Sequence, residues 1–88
     1  MAWTIELTEK AIKAIASIDR VQAVKIKRFL AVELPAMDNP RQTGKALQGD
    51  LKGFWRYRVG DYRLIAKIKD GELLILVVEV GHRKDIYK

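Results

Sequence analysis

The spacing of apolar positions changes along the chain, and each change predicts a different element. Residues 2–7 alternate, with Trp3, Ile5 and Leu7 on one side and Thr4 and Glu6 on the other, the period of a short strand. Thr8 then stands where a helix N-cap belongs, and Ala11, Ile12, Ile15 and Ala16 mark an apolar face at helical spacing. Asp19 caps a second helix predicted to reach about Leu34. Ala23, Ile26, Leu30 and Leu34 form its stripe, Phe29 lies beside it, and Pro35 ends it. Residues 35–53 hold both prolines, three glycines and Asn39, which argues against a continuous element. They contain no repeat and no domain boundary, because the remaining residues are too few to fold alone.

Three strands are predicted next, over 54–59, 62–69 and 73–80. Gly60-Asp61 and Asp70-Gly71 are each read as two-residue hairpin turns. The order strand, helix, helix, strand, strand, strand defines an α+β fold. In it a two-helix hairpin covers one face of a single twisted sheet whose last three strands form an antiparallel meander. Residues 1–88 make one domain.

A two-residue first turn also fixes which side chains share a face. Val59 faces Tyr62, Arg58 faces Arg63, Tyr57 faces Leu64 and Arg56 faces Ile65. Trp55, Tyr57, Val59, Tyr62, Leu64, Ala66 and Ile68 then form a core face. The other face carries Arg56, Arg58, Arg63, Lys67 and Lys69 with Phe54 and Ile65. A tight second turn would set Lys69 opposite Glu72, Ile65 opposite Leu76 and Arg63 opposite Val78. Leu74, Leu76 and Val78 would form an apolar floor under the basic face, and Glu79 would fall on the core face opposite Tyr62.

Composition sharpens this pattern. Seventeen Lys and Arg against eleven Asp and Glu give a net charge of +6, and there is no cysteine and one histidine. Thiolate metal sites, multi-histidine zinc sites, disulfides and a Cys nucleophile are excluded, and no cofactor is expected. Residues 51–88 carry nine basic and five acidic side chains, residues 1–50 eight and six. The surplus fits either a solvated surface or a polyanion-binding one. The Arg58–Arg63 pairing favours the second, because like charges directly opposite across a ladder cost stability unless an anion meets them. The longest apolar run, residues 73–78, is far too short to span a membrane, and MAWTIELTEK lacks the basic start of a signal peptide. A cytoplasmic protein without a membrane partner is expected.

Arg56, Arg58, Arg63 and Arg83, with His82, Lys84 and Tyr87 nearby, therefore form a candidate phosphate corner. Guanidinium forks bind phosphate oxygens, and aromatic rings stack on unpaired bases. Several such charges around one phosphate would stabilise a pentacoordinate transition state. RNA would bring its own nucleophile as the 2′-hydroxyl. Proton transfer still needs a group, and His82 is the one side chain here that ordinarily titrates near neutrality.

The stretch GKALQGDLKGFWRYRVGDYRLI followed by VEVGHRKDIYK resembles the RelE family of bacterial toxins, within the RelE/ParE superfamily. The most specific parts are Trp55-Arg56-Tyr57-Arg58, Asp61-Tyr62-Arg63 and residues 81–87. The resemblance implies a RelE-like fold and a ribosome-dependent endoribonuclease, an mRNA interferase acting in the 30S A site. It implies a cognate antitoxin, with mRNA, the ribosome and ribosomal RNA as further partners, and operator DNA bound only through the antitoxin complex. Residue by residue, it implies catalytic roles for Arg56 and Arg63 at the scissile phosphate, Arg83 at the leaving group, and Tyr87 stacked on a substrate base. Lys52, Arg58, His82 and Lys84 are the candidate RNA- or phosphate-binding residues beside them. Where some members have a lysine this chain has Phe54, leaving Lys52 and His82 as candidates for its role. The alternatives are a ParE-like toxin that inhibits DNA gyrase without cutting RNA, and a non-catalytic RNA-binding module.

Overall fold

The computed structural model describes residues 3–82. The elements are β1 (Thr4–Leu7), α1 (Glu9–Ser17), α2 (Arg20–Arg28), β2 (Lys45–Ala46), β3 (Trp55–Val59), β4 (Tyr62–Lys69) and β5 (Leu74–His82). Both helix starts form as their caps dictate. Thr8 Oγ1 accepts from the Ala11 amide at 3.2 Å, and Asp19 Oδ1 from the Gln22 amide at 2.8 Å. Each satisfies an amide that the first turn would otherwise leave unbonded, an effect typically worth about 1 kcal/mol. Helical backbone continues past α2 as a π turn, Phe29–Glu33, and Pro35 comes two residues after it. The predicted second helix thus keeps its extent but widens in its last turn.

The sheet has five strands in the order β1-β5-β4-β3-β2, with β1 parallel to β5 and the other pairs antiparallel. The extra strand, β2, lies in the irregular stretch and pairs Lys45 with Arg56 and Ala46 with Trp55. Two residues carry no periodicity. What places them is Gly44, whose φ of +87° and close approach to the Arg56 carbonyl exclude any side chain. The Trp55 indole N–H beside it donates to the Thr43 carbonyl at 2.8 Å.

One core lies between the helices and the sheet. Ala11, Ile15, Ala23, Ile26, Phe29, Leu30 and Leu34 from the helical layer meet Tyr57, Leu64, Ala66, Ile75, Val77 and Val80. The Tyr57 ring packs on Phe29 with centroids 5.5 Å apart, and its hydroxyl donates to the Pro40 carbonyl at 2.6 Å. That bond ties the irregular stretch to the sheet. A second tie is the bidentate Arg41–Asp70 pair, at 2.8 and 2.9 Å. The guanidinium holds the Asp70 carboxyl below its ordinary range.

Burial raises the Tyr57 hydroxyl above the usual tyrosine range. The folded state therefore holds this proton more tightly than the unfolded chain does. The corresponding stability is fully present below about pH 10 and is lost as pH rises through the folded value. Tyr57→Phe is expected to remove this part of the alkaline decline and to cost roughly 1 kcal/mol at neutral pH. Urea unfolding at neutral and alkaline pH measures both; parallel pH profiles for the two proteins would remove Tyr57 as the cause.

The two hairpins differ. Gly60, at φ +59°, makes the expected tight turn, and Val59 faces Tyr62, Arg58 faces Arg63, Tyr57 faces Leu64 and Arg56 faces Ile65. The second turn is longer than expected. Residues Asp70–Glu72 form a 3₁₀ turn, and Leu73 takes a left-handed conformation at φ +49°. Lys69 consequently pairs with Leu74 instead of Glu72. Long-range contacts hold the wider turn: Asp70 is clamped by Arg41, the Leu73 carbonyl accepts from the Thr4 amide at 2.9 Å, and Leu73 packs on the core.

Candidate nucleic-acid interface

The positions on β5 depend on that turn and on a bulge at Ile65/Ala66. Across it Ala66 pairs with Val77 while Ile65 pairs with Glu79, so Val78 is the inserted residue. The bulge falls where α1 leaves the sheet, with the Thr8 hydroxyl donating to the Val78 carbonyl at 3.0 Å. Beyond it, the later residues of β5 have exchanged faces relative to the tight-turn register.

The longer turn and the bulge together correct two expectations. Glu79 does not face Tyr62 on the core side; it lies opposite Ile65 on the basic face and meets Lys10 Nζ at 3.2 Å. A carboxylate has thus left the apolar face for a partly exposed ion pair. Arg63 faces Gly81 rather than Val78. The apolar floor is also shorter than expected: Leu74 and Leu76 share the face of Lys69 and Lys67, but beside Arg63 stands a residue without a side chain.

Arg56 and Arg63 occupy this outer face on adjacent strands, diagonal to one another across the Arg58–Arg63 and Arg56–Ile65 pairs. Such diagonal neighbours lie about 7–8 Å apart at the backbone, close enough for two guanidinium groups to address one phosphate. Arg56 Nε, Arg63 Nε and Arg63 Nη1 are buried atoms. Both side chains are therefore partly withdrawn from water.

His82 takes a different place. It pairs with Tyr62, and the two rings meet edge to face at 5.5 Å. Adjacent strand residues point to opposite faces, so His82 sits on Tyr62's side of the sheet, away from Arg63. Lys52 is exposed and closes the Gly49–Leu51 3₁₀ turn before β3. Arg83, Lys84 and Tyr87 lie outside the described residues. Among the described residues no cluster of His, Cys, Asp or Glu is arranged to hold a metal ion.

Arg58 is exposed and stands at the sheet edge. It lines a cleft of about 420 Å³ with Lys25 and Arg28 of α2, Phe29, Glu33, Met37, Thr43 and Val59. Strand β2 pairs only with Trp55 and Arg56 of β3, so Arg58 lies past the end of that pairing. Lys25 and Arg28 are absent from the site the sequence predicts. Their three-residue spacing on α2 is visible there, but which element that helix face meets is not.

Comparison with known proteins extends this picture. A family model described as the ParE toxin of the parDE type II toxin–antitoxin system matches residues 5–87. Toxin RelE of Mycobacterium tuberculosis is 35% identical over 54 residues, 61% of this chain and 56% of that protein. Toxin RelG of the same organism is 28% identical over 88 residues, 100% of this chain and 99% of that one. The toxin–antitoxin complex RelBE2 of M. tuberculosis contains a chain that superposes with a TM-score of 0.85 at 26% identity, covering 97% of this chain and 95% of that one. The archaeal RelE–RelB complex of Pyrococcus horikoshii gives a TM-score of 0.74 at 22% identity over 97% and 99%, a likeness of fold.

A two-helix hairpin on one face of such a sheet is thus the fold of a toxin from a type II toxin–antitoxin system. The chain belongs to the ParE toxin family, and its relatives there are RelE-type toxins.

Proposed function

We propose that this toxin is an endoribonuclease that cuts messenger RNA on the ribosome, and that a cognate antitoxin neutralises it. The observation that carries the reading is the placing of Arg56 and Arg63 together on the face opposite α1 and α2, their guanidinium nitrogens partly buried and Gly81 opposite Arg63. In the proposed step the 2′-oxygen attacks the adjacent phosphorus and the bond to the 5′-oxygen breaks. The products are a 2′,3′-cyclic phosphate and a 5′-hydroxyl. The 2′-hydroxyl gives up a proton and the leaving 5′-oxygen takes one.

Arg56 and Arg63 stabilise the additional negative charge on the pentacoordinate phosphorus, where donors aimed at developing charge have their largest effect. Arg83 serves the leaving oxygen, and Tyr87 stacks on a substrate base; both roles come from the resemblance. The face that His82 occupies disfavours it as the base acting beside Arg63, which leaves Lys52 as the stronger of the two candidates. RelB accompanies RelE in the related complexes, and this supports an antitoxin partner. Operator DNA would be reached through that complex, in the cytoplasm.

The ParE family match favours one second reading, inhibition of DNA gyrase without RNA cleavage. Induced expression followed by mapping of RNA 5′ ends separates the two. The ribonuclease reading expects growth arrest with new 5′-hydroxyl ends inside translated messages, and their disappearance when translation initiation is blocked beforehand. Arrest with intact messages and an SOS response would replace it with the gyrase reading.

A further inference from the structure

We propose that the cleft between α2 and the β3 edge, lined by Lys25, Arg28 and Arg58, is a second RNA subsite. It would hold a nucleotide of the same strand whose scissile phosphate lies at Arg56 and Arg63. The inference rests on the ribonuclease reading for the location of that phosphate, but it concerns binding and can be tested without cleavage.

Three cationic residues line it from two elements, Lys25 and Arg28 from α2 and Arg58 from β3. All three residues are exposed, so none is placed there by core packing. Phe29, Met37 and Val59 add apolar lining of the kind that takes the face of a base, and Thr43 lines the cleft as well. About 420 Å³ is room for a nucleotide. One carboxylate, Glu33, also lines the cleft, and its Oε2 stands 4.0 Å from Arg28 Nε. At that separation it lowers the local positive charge without closing the fork of the guanidinium.

Continuity favours RNA over an acidic protein segment as the occupant. Arg58 both lines the cleft and pairs with Arg63 across the ladder, so it joins the cleft to the phosphate face. A single strand passing over the β3 edge would meet Arg56 and Arg63 on one side and Lys25 and Arg28 on the other. The Arg58–Arg63 pair, opposite one another on the ladder, then marks where the strand crosses.

The test uses 2′-O-methyl RNA, which cannot supply the attacking hydroxyl, in lengths from two to eight nucleotides. Binding is followed by fluorescence anisotropy across a salt series. For the wild-type toxin, affinity should rise with length and then level off once the strand reaches the cleft. The Lys25→Ala/Arg28→Ala double variant should lack that rise, bind the longest strand roughly tenfold more weakly, and show a salt slope smaller by about 0.7 for each phosphate it no longer neutralises. Glu33→Gln should act oppositely and tighten binding severalfold, an outcome that misfolding cannot produce. Equal length dependence and equal salt slopes in wild type and double variant would overturn the proposal. It would be overturned equally if the substitutions weakened only binding of the antitoxin. Failure of the ribonuclease reading would instead be seen as absence of new RNA ends, with these binding curves unaffected.

Discussion

Arg63→Ala is expected to lower RNA cleavage by about 100-fold or more while changing stability by less than roughly 1 kcal/mol. The two effects separate because of where the residue stands. Its neighbours on the ladder are Arg58 and Gly81, and truncating it leaves the core face untouched. The catalytic loss arises in the transition state. A phosphorus carrying five oxygens holds more negative charge than the ground state, and a fixed guanidinium whose Nε and Nη1 are already buried needs little reorganisation to meet it. Arg63→Lys keeps the charge but not the planar fork, so it should recover only part of the activity. Counting 5′-hydroxyl ends after induction, with a thermal melt of each purified variant, checks both halves. Unchanged cleavage in Arg63→Ala would remove this residue from the site; a parallel collapse of the melt would assign it to the fold.

The second large effect lies one residue along. Leu64→Ala should destabilise the protein by about 2–5 kcal/mol, because a fully buried side chain between the helices and the sheet leaves a cavity. Small domains have about 5–15 kcal/mol in total, so the variant would approach the limit of folding. For a chain of this size each kcal/mol corresponds to about 4–8 °C in Tm. Val24→Ala is the control, since Val24 is 57% exposed on α2 and its truncation should stay within about 0.5 kcal/mol. Denaturant midpoints at constant m report the difference. Similar midpoints for the two variants would contradict the packing described for β4. On the proposed ribonuclease reading, residues 63 and 64 would divide chemistry from stability by the alternation of a strand.

Much of this arrangement is legible in the amino-acid sequence. Thr8 and Asp19 cap their helices because the interaction spans three residues. Gly60 sets the first hairpin because only its own backbone has to turn, so the Arg58–Arg63 pairing can be read directly. The second hairpin is not legible, although Asp70-Gly71 is locally a good turn. Arg41 and Thr4 draw the residues around it into a longer loop, and Thr8 meets Val78 where the strand takes in one extra residue. Those partners are distant in sequence, and hydrophobic periodicity contains no term for them. The misplacement of Glu79 and of the residue facing Arg63 comes from these two register shifts together. β2 escapes sequence reading for a related reason: two residues show no period, and their pairing depends on a glycine fitted against β3.

The amino-acid sequence by itself determined the α+β order of elements, the two faces of the first hairpin, and the concentration of arginine on one of them. These depend on capping, turn chemistry and side-chain alternation, all of which act within a few residues. Only the tertiary structure decided that Gly81 stands beside Arg63, that His82 turns toward Tyr62, and that Arg58 joins Lys25 and Arg28 across the sheet edge. Each of these is set by how elements far apart in the chain pack and shift register against one another, and a single bulge is enough to exchange the faces of every residue beyond it.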